Sequence, residues 1–169
     1  MNATLVLVNG KAAPLFYAGP QQINFQVPPG TTAPATAVVR QAGVESDPQT
    51  LPLFDTAPAL FSVSQSGSGQ GAILHADTGE LASPSRPAEV AEALAIYLTG
   101  LGEAAPASAP QATIGGVAAE VRFFGDAPGL VGLNQVNVRV PAGVASGAAV
   151  LVRLTAGGRA SNEVTIAVR

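Results

Sequence analysis

The sequence predicts an all-β chain built from two β-sandwich modules. Three observations lead there: apolar and polar residues alternate in short runs, Gly and Pro punctuate those runs, and one succession of strands and turns occurs twice. Of the 169 residues, 47% are hydrophobic and only 11% are charged, against roughly 25% charged in an average soluble protein. That is enough apolar surface for a core and argues against global disorder. The 19 Gly and 14 Pro suit short strands closed by tight turns.

In chain order, Thr4–Val8 reads as a strand entering the Asn9-Gly10 turn, because Asn-Gly readily takes the two positive φ values of a type I′ turn. Ile23, Phe25 and Val27 alternate with Asn24 and Gln26, the pattern of a strand with one apolar and one polar face. It stops at Pro28, which has no N–H for a ladder. A further β-rich run covers Ala35–Arg40. Ser85 to Leu94 has the look of a helix start, with Ser ahead of Pro87 and acids in the first turn. From Ala93 the chain alternates as a strand, so the expectation is a brief turn or helical start, then a strand over 93–99. Val136, Val138 and Val140 alternate with Asn137 and Arg139 and end at Pro141. Val150–Leu154, Gly157-Gly158 and Val164–Val168 read as a terminal hairpin.

The repetition is the strongest signal. Val8-Asn9-Gly10-Lys11-Ala12-Ala13 aligns with Ile114-Gly115-Gly116-Val117-Ala118-Ala119, 106 residues later. Gln22-Ile23-Asn24-Phe25-Gln26-Val27-Pro28-Pro29-Gly30 aligns with Gln135-Val136-Asn137-Val138-Arg139-Val140-Pro141-Ala142-Gly143, 113 residues later. The difference fits an insertion around Ala127–Leu133. The expected division is 1–54, an incomplete module; 55–87, a connector with a possible hairpin; and 88–169, a complete module. The first module starts at its Asn-Gly turn, so its opening strand or strands are expected to be missing.

These residues carry a resemblance. The runs at 8–17, 21–30, 57–62 (Ala-Pro-Ala-Leu-Phe-Ser), 97–102 (Tyr-Leu-Thr-Gly-Leu-Gly), 132–143 and 161–168 resemble an uncharacterised C-terminal domain family that caps secreted proteins of soil acidobacteria. Each half is also similar to the Ig-like modules called IPT/TIG, which carry Gly-Gly-x-x-Ala and a strand ending Val-Pro-x-Gly. The resemblance implies tandem Ig-like sandwiches, the first lacking its opening strand or strands. It also implies an extracellular or cell-surface place as part of a longer secreted protein. It brings no biochemical activity with it.

Composition excludes several chemistries. Without Cys there is no disulfide, thiolate zinc site or cysteine nucleophile, and a single His cannot make a multi-histidine metal site. A net charge of −3 argues against nucleic acid, which demands a basic face. No apolar run reaches the roughly 20 residues of a membrane span; the longest, Val90 to Leu101, is broken by Glu92, Thr99 and Gly100. The first eight residues lack the basic and long apolar regions of a signal peptide and read as a strand.

Single residues invite sharper readings. His75 and Asp77 suggest a triad, but no nucleophile elbow accompanies them, and Asp77-Thr78-Gly79 reads as a hairpin turn. Asp-Thr-Gly is also the aspartic-protease signature, yet a dyad needs a second copy. Calcium binding by Asp77, Glu80 and Asp126 lacks the density of oxygen ligands that ion takes. An isopeptide bond would have to use Lys11, the only Lys. The Gly-rich run 64–71 lacks the Lys-Ser/Thr ending of a P-loop and reads as a flexible loop. After each Ala-Ala pair comes an aromatic pair, Phe16-Tyr17 and Phe123-Phe124, with one ring expected inward and the other outward. The candidate contact surface is therefore Tyr17 and Phe124, with Asn24 and Asn137 on the polar strand faces.

The expected function is that of a non-catalytic extracellular structural or adhesive module, without a cofactor or metal. It would act through protein contacts or homo-oligomerisation at an exposed sheet edge, with strand pairing between subunits. The alternative is an accessory module binding carbohydrate or serving an enzyme partner.

Overall fold

The structure, a computed structural model, describes residues 4–102, 109–130 and 132–169. Every regular element among them is a β-strand, and the chain divides into two compact units, Met1–Phe54 and Asp55–Arg169.

The first unit contains β1 (Thr4–Val8), β2 (Lys11–Ala13), β3 (Leu15–Ala18), β4 (Ile23–Phe25), β5 (Ala35–Gln41), β6 (Val44–Glu45) and β7 (Gln49–Leu51). β1 lies between β2 and β5, while β6 and β7 follow one another along the far edge of β5. β3 and β4 form a separate two-stranded ribbon. The β1–β2 turn has φ of 47° at Asn9 and 78° at Gly10, the positive pair that Asn-Gly predicts. Asn9 does more than turn the chain: its Oδ1 accepts from Thr36 N at 2.9 Å and its Nδ2 donates to the carbonyls of Thr32 and Pro34. Pro14, which lacks an N–H, separates β2 from β3. The core of this unit is small: Val6, Val8 and Ala13, with Leu15, Ile23, Phe25, Ala37, Val39 and Leu51 packed around them.

The second unit contains β8 (Ala59–Leu60), β9 (Ile73–His75), β10 (Ala93–Thr99), β11 (Gln111–Ile114), β12 (Val117–Asp126), β13 (Asn134–Arg139), β14 (Gly147–Ala156), β15 (Arg159–Ala160) and β16 (Val164–Val168). β12 changes partners midway: its first residues pair with β11, and Glu120 onward pairs with β13. One strand thus serves both layers of a sandwich. Leu94, Ile96, Leu98, Val136 and Val138 enter the core from one layer, and Ile114, Val152, Leu154, Val164 and Ile166 from the other. β10 spans the expected 93–99. No helical start precedes it: Ala91 turns with φ of 69°, its N–H donates to Val140 O, and Val140 N donates to Glu92 O. Those cross-strand bonds claim the groups a helix would use.

Residues 55–87, expected as a connector, fold within the second unit. β8 and β9 pair with β10, and Gly71, Ala82 and Ala88 exchange backbone bonds with β16. Two hairpins result, one closed by Ser62 and Gly71 and one by Leu74 and Leu81 around the Asp77-Thr78-Gly79 turn. Asn162 ties the first in place: it accepts from Leu60 N at 2.7 Å and donates to the carbonyls of Leu60 and Gly67.

The strand registers of the two units correspond. Val8 faces Ala37 as Ile114 faces Val152; Arg40 faces Glu45 as Thr155 faces Ala160; Ala35 faces Leu51 as Val150 faces Ile166. Val39 N donates to Ser46 Oγ as Leu154 N donates to Ser161 Oγ, both at 3.0 Å. Leu15 faces Phe25 as Val121 faces Val138, each followed by a bulge, at Phe16 and at Arg122.

Candidate functional site: an uncovered strand edge

The units differ at one edge. β13 is bonded to β12 on one side and to β10 on the other. β4, its counterpart, pairs with β3 alone among the described residues. Backbone groups alternate in direction along a strand. Gln22 O and Gln26 N bond toward β3, accepting from Gly19 N and donating to Pro14 O. The N–H and C=O of Ile23, Phe25 and Val27 therefore point to the open side. Their counterparts Val136, Val138 and Val140 are 0%, 0% and 1% exposed, whereas Val27 is 41% exposed and Ile23 and Phe25 are only half-buried. One prediction follows directly. Val140→Ala is expected to cost about 2 kcal/mol, and Val27→Ala less than about 0.5 kcal/mol. Urea unfolding of the two variants checks this.

The amide residues of the expected contact surface are set alike in both units. Gln22 Nε2 donates to Asn24 Oδ1 at 2.7 Å, and Gln135 Nε2 donates to Asn137 Oδ1 at 2.7 Å. Tyr17 lies directly across from Asn24; it and Phe16, which sits in the bulge, are both exposed, so neither ring turns inward as the alternation predicts. The Tyr17 hydroxyl lies against Gly19. In the second unit the expectation requires correction. The aromatic across from Asn137 is Phe123, which is exposed, while Phe124 faces Val136 and packs on the core. The bulge at Arg122 adds one residue to the strand and reverses which ring faces out. Alternation counted without the bulge puts the wrong phenylalanine outside.

A buried polar cluster escaped the sequence reading. His75 is 1% exposed. Its Nδ1 lies 2.5 Å from Glu92 Oε1 and its Nε2 donates to Arg86 O at 3.1 Å. A carbonyl only accepts, so Nε2 carries a proton. Glu92 Oε2 accepts from Glu89 N at 2.8 Å, tying the 89–92 turn to the same carboxyl group. A cleft of about 500 Å³ opens beside it, lined by His75, Ser85, Arg86, Glu89, Val90 and Arg169 among others. Both ring nitrogens are engaged within the fold, which leaves neither to activate a hydroxyl as a triad histidine does. Glu92→Ala removes partners of the His75 ring and the Glu89 amide and is expected to cost about 1–3 kcal/mol. Glu92→Gln, which keeps an acceptor and the shape, should cost less, as read by thermal unfolding.

At the rim of the cleft, the Arg169 guanidinium hydrogen-bonds Glu89 and, with its charge, holds that carboxyl below the ordinary carboxylate range. The sign is that of a lowered acid: the tether is in place at neutral pH and is lost as pH falls through the titration of Glu89 in the fold. Protection of the Arg169 amide, which bonds Ala88 O at 3.0 Å, should fall on acidification below the ordinary carboxylate range, as Glu89 titrates in the fold. In Glu89→Gln it should not change with pH over that window; amide exchange measures both.

Among the described residues no three His, Cys, Asp or Glu side chains group so as to hold a metal ion. None of their buried side-chain nitrogens or oxygens lacks a hydrogen-bond partner. No helix among them is long and apolar enough to cross a membrane. Fold and site define a class, an all-β chain of two units whose distinguishing surface is a strand edge. No family model, curated protein or solved structure matches it.

Proposed function

We propose that this chain is a non-catalytic structural module of a secreted or cell-surface protein, built from two Ig-like repeats, which works by protein–protein contact at the β4 edge. The observation that carries the reading is the contrast, among the described residues, between β13, covered on both sides, and β4, paired on one. An open edge with an apolar face is a site where another strand adds by main-chain hydrogen bonds. The matching registers support the repeat, the motifs at 8–17, 21–30 and 132–143 support the secreted family, and the engaged His75 ring supports a non-catalytic role. Sedimentation from micromolar to millimolar concentration tests the contact: association expected in the intact chain should be abolished by Val27→Lys, which puts a charge on the edge. A chain that stays monomeric and binds no protein through this edge overturns the reading.

One arrangement favours a second reading, an accessory carbohydrate-binding module. An exposed ring beside a Gln–Asn amide pair occurs in both units, at Tyr17 with Gln22 and Asn24, and at Phe123 with Gln135 and Asn137. Such a group offers a stacking face and amide hydrogen bonds to a sugar. Glycan-array binding lost in Tyr17→Ala and Phe123→Ala would favour it over the first reading.

A further inference from the structure

We infer that the β4 edge accepts an uncharged, extended polypeptide segment of the chemistry of β10, running antiparallel to β4 with apolar side chains opposite Phe25 and Ile23. The inference rests on the contact reading above and supplies the partner's chemistry and register. The second unit displays that edge occupied. There β10 pairs with β13 so that Leu94 faces Val138, Ala95 faces Asn137, Ile96 faces Val136 and Tyr97 faces Gln135. Leu94, Ile96 and Leu98 are fully buried. Carried to the first unit through the matching registers, a residue like Leu94 stands opposite Phe25 and one like Ile96 opposite Ile23. A small residue like Ala95 then stands opposite Asn24.

Charge sets the class of partner. No charged residue occurs between Lys11 and Arg40, and none occurs in β10. Natural sheet edges are commonly guarded by Lys, by inward charges or by a covering segment. This edge has no charge to repel a neutral strand and none to attract a charged one. Its length is set as well, since Pro28-Pro29 ends the strand after Val27 and limits pairing to about six residues. A second copy of β4 is a poorer occupant. Paired about Asn24 or about Phe25, it would set Phe25 opposite Ile23 or opposite itself, where the second unit sets Leu94 opposite Val138 and Ile96 opposite Val136. The segments at 55–87 that cover edges of the second unit are already bonded to β10 and β16.

The test adds to the intact chain a synthetic peptide with the sequence of residues 93–101, flanked by Lys outside the pairing segment for solubility, and follows amide exchange by NMR. The expected result is at least tenfold slower exchange at Ile23 and Phe25, with little change at Asn24, whose amide already faces β3. A control peptide with Ser replacing the residues equivalent to Leu94, Ile96 and Leu98 should give no protection, and Val27→Lys should weaken the effect. The inference is overturned if the β10 peptide leaves the Ile23 and Phe25 amides unchanged, or if the Ser peptide protects them equally. If the peptide fails while Val27→Lys still abolishes self-association, the edge is a contact site for a second copy, so the contact reading stands and the partner chemistry falls. Ile23 and Phe25 amides already protected in the dilute chain alone would sink both.

Discussion

Gly100→Ala is expected to destabilise the second unit by roughly 3–5 kcal/mol, among the largest effects of a single added carbon in this chain. Two costs combine. Gly100 has φ of +84°, a conformation L side chains rarely adopt. A Cβ there would also lie 2.0 Å from the carbonyl oxygen of Ala57, and backbone on both sides leaves no flexible atom to yield. Relief requires moving the segment before β8, which breaks the Ala57 N–Gly100 O bond of 2.8 Å. Gly116→Ala is the control. Its φ is +79°, but nothing lies within 4 Å of the added carbon, so only the conformational cost of about 1 kcal/mol remains. Chemical denaturation of the two variants separates close approach from backbone strain. Equal losses would show that Ala57 moves aside freely.

The second large effect is Ile96→Ala, expected to cost about 2–5 kcal/mol. Ile96 is 1% exposed at the middle of β10, facing Val136 on one neighbour and Ile73 on the other. Truncation leaves a cavity that three paired strands can close only by shifting together. The loss should appear in the unfolding of residues 55–169 and leave amide exchange in β1 and β5 unchanged, because those strands belong to the other compact unit. Uniform loss of protection across both units would show that the two unfold together.

Much of the fold was legible where the signal is local. Ile23-Asn24-Phe25 and Val136-Asn137-Val138 announce strands because residues two apart share a face. Asn9-Gly10 announces its turn because both residues tolerate positive φ. β10 emerged from a segment with a competing helical start because its alternation runs unbroken to Thr99. The candidate site was legible in outline: an edge without its partner follows from laying one copy of the motif on the other. Three things were hidden. The outward ring is Phe123, not Phe124, because a bulge leaves no mark in the residues that form it. The His75–Glu92 contact joins residues 17 apart that belong to no shared motif. And 55–87 looked like a connector because its strands are two and three residues long, too short to show a period.

By itself, then, the sequence determined the all-β class, the alternating strands, the tight turns and the recurrence of one motif, since each depends on neighbours a few residues apart. Only the tertiary structure decided which edges are covered. Asn162 holds β8 in place across about a hundred residues, β9 and Ala88 close on β10 and β16, and β4 keeps a side open among the described residues. A backbone N–H has the same chemistry on every strand, so nothing along the chain records whether it finds a partner. Spatial pairing alone settles that, and it left Ile23, Phe25 and Val27 facing outward where Val136, Val138 and Val140 are sealed.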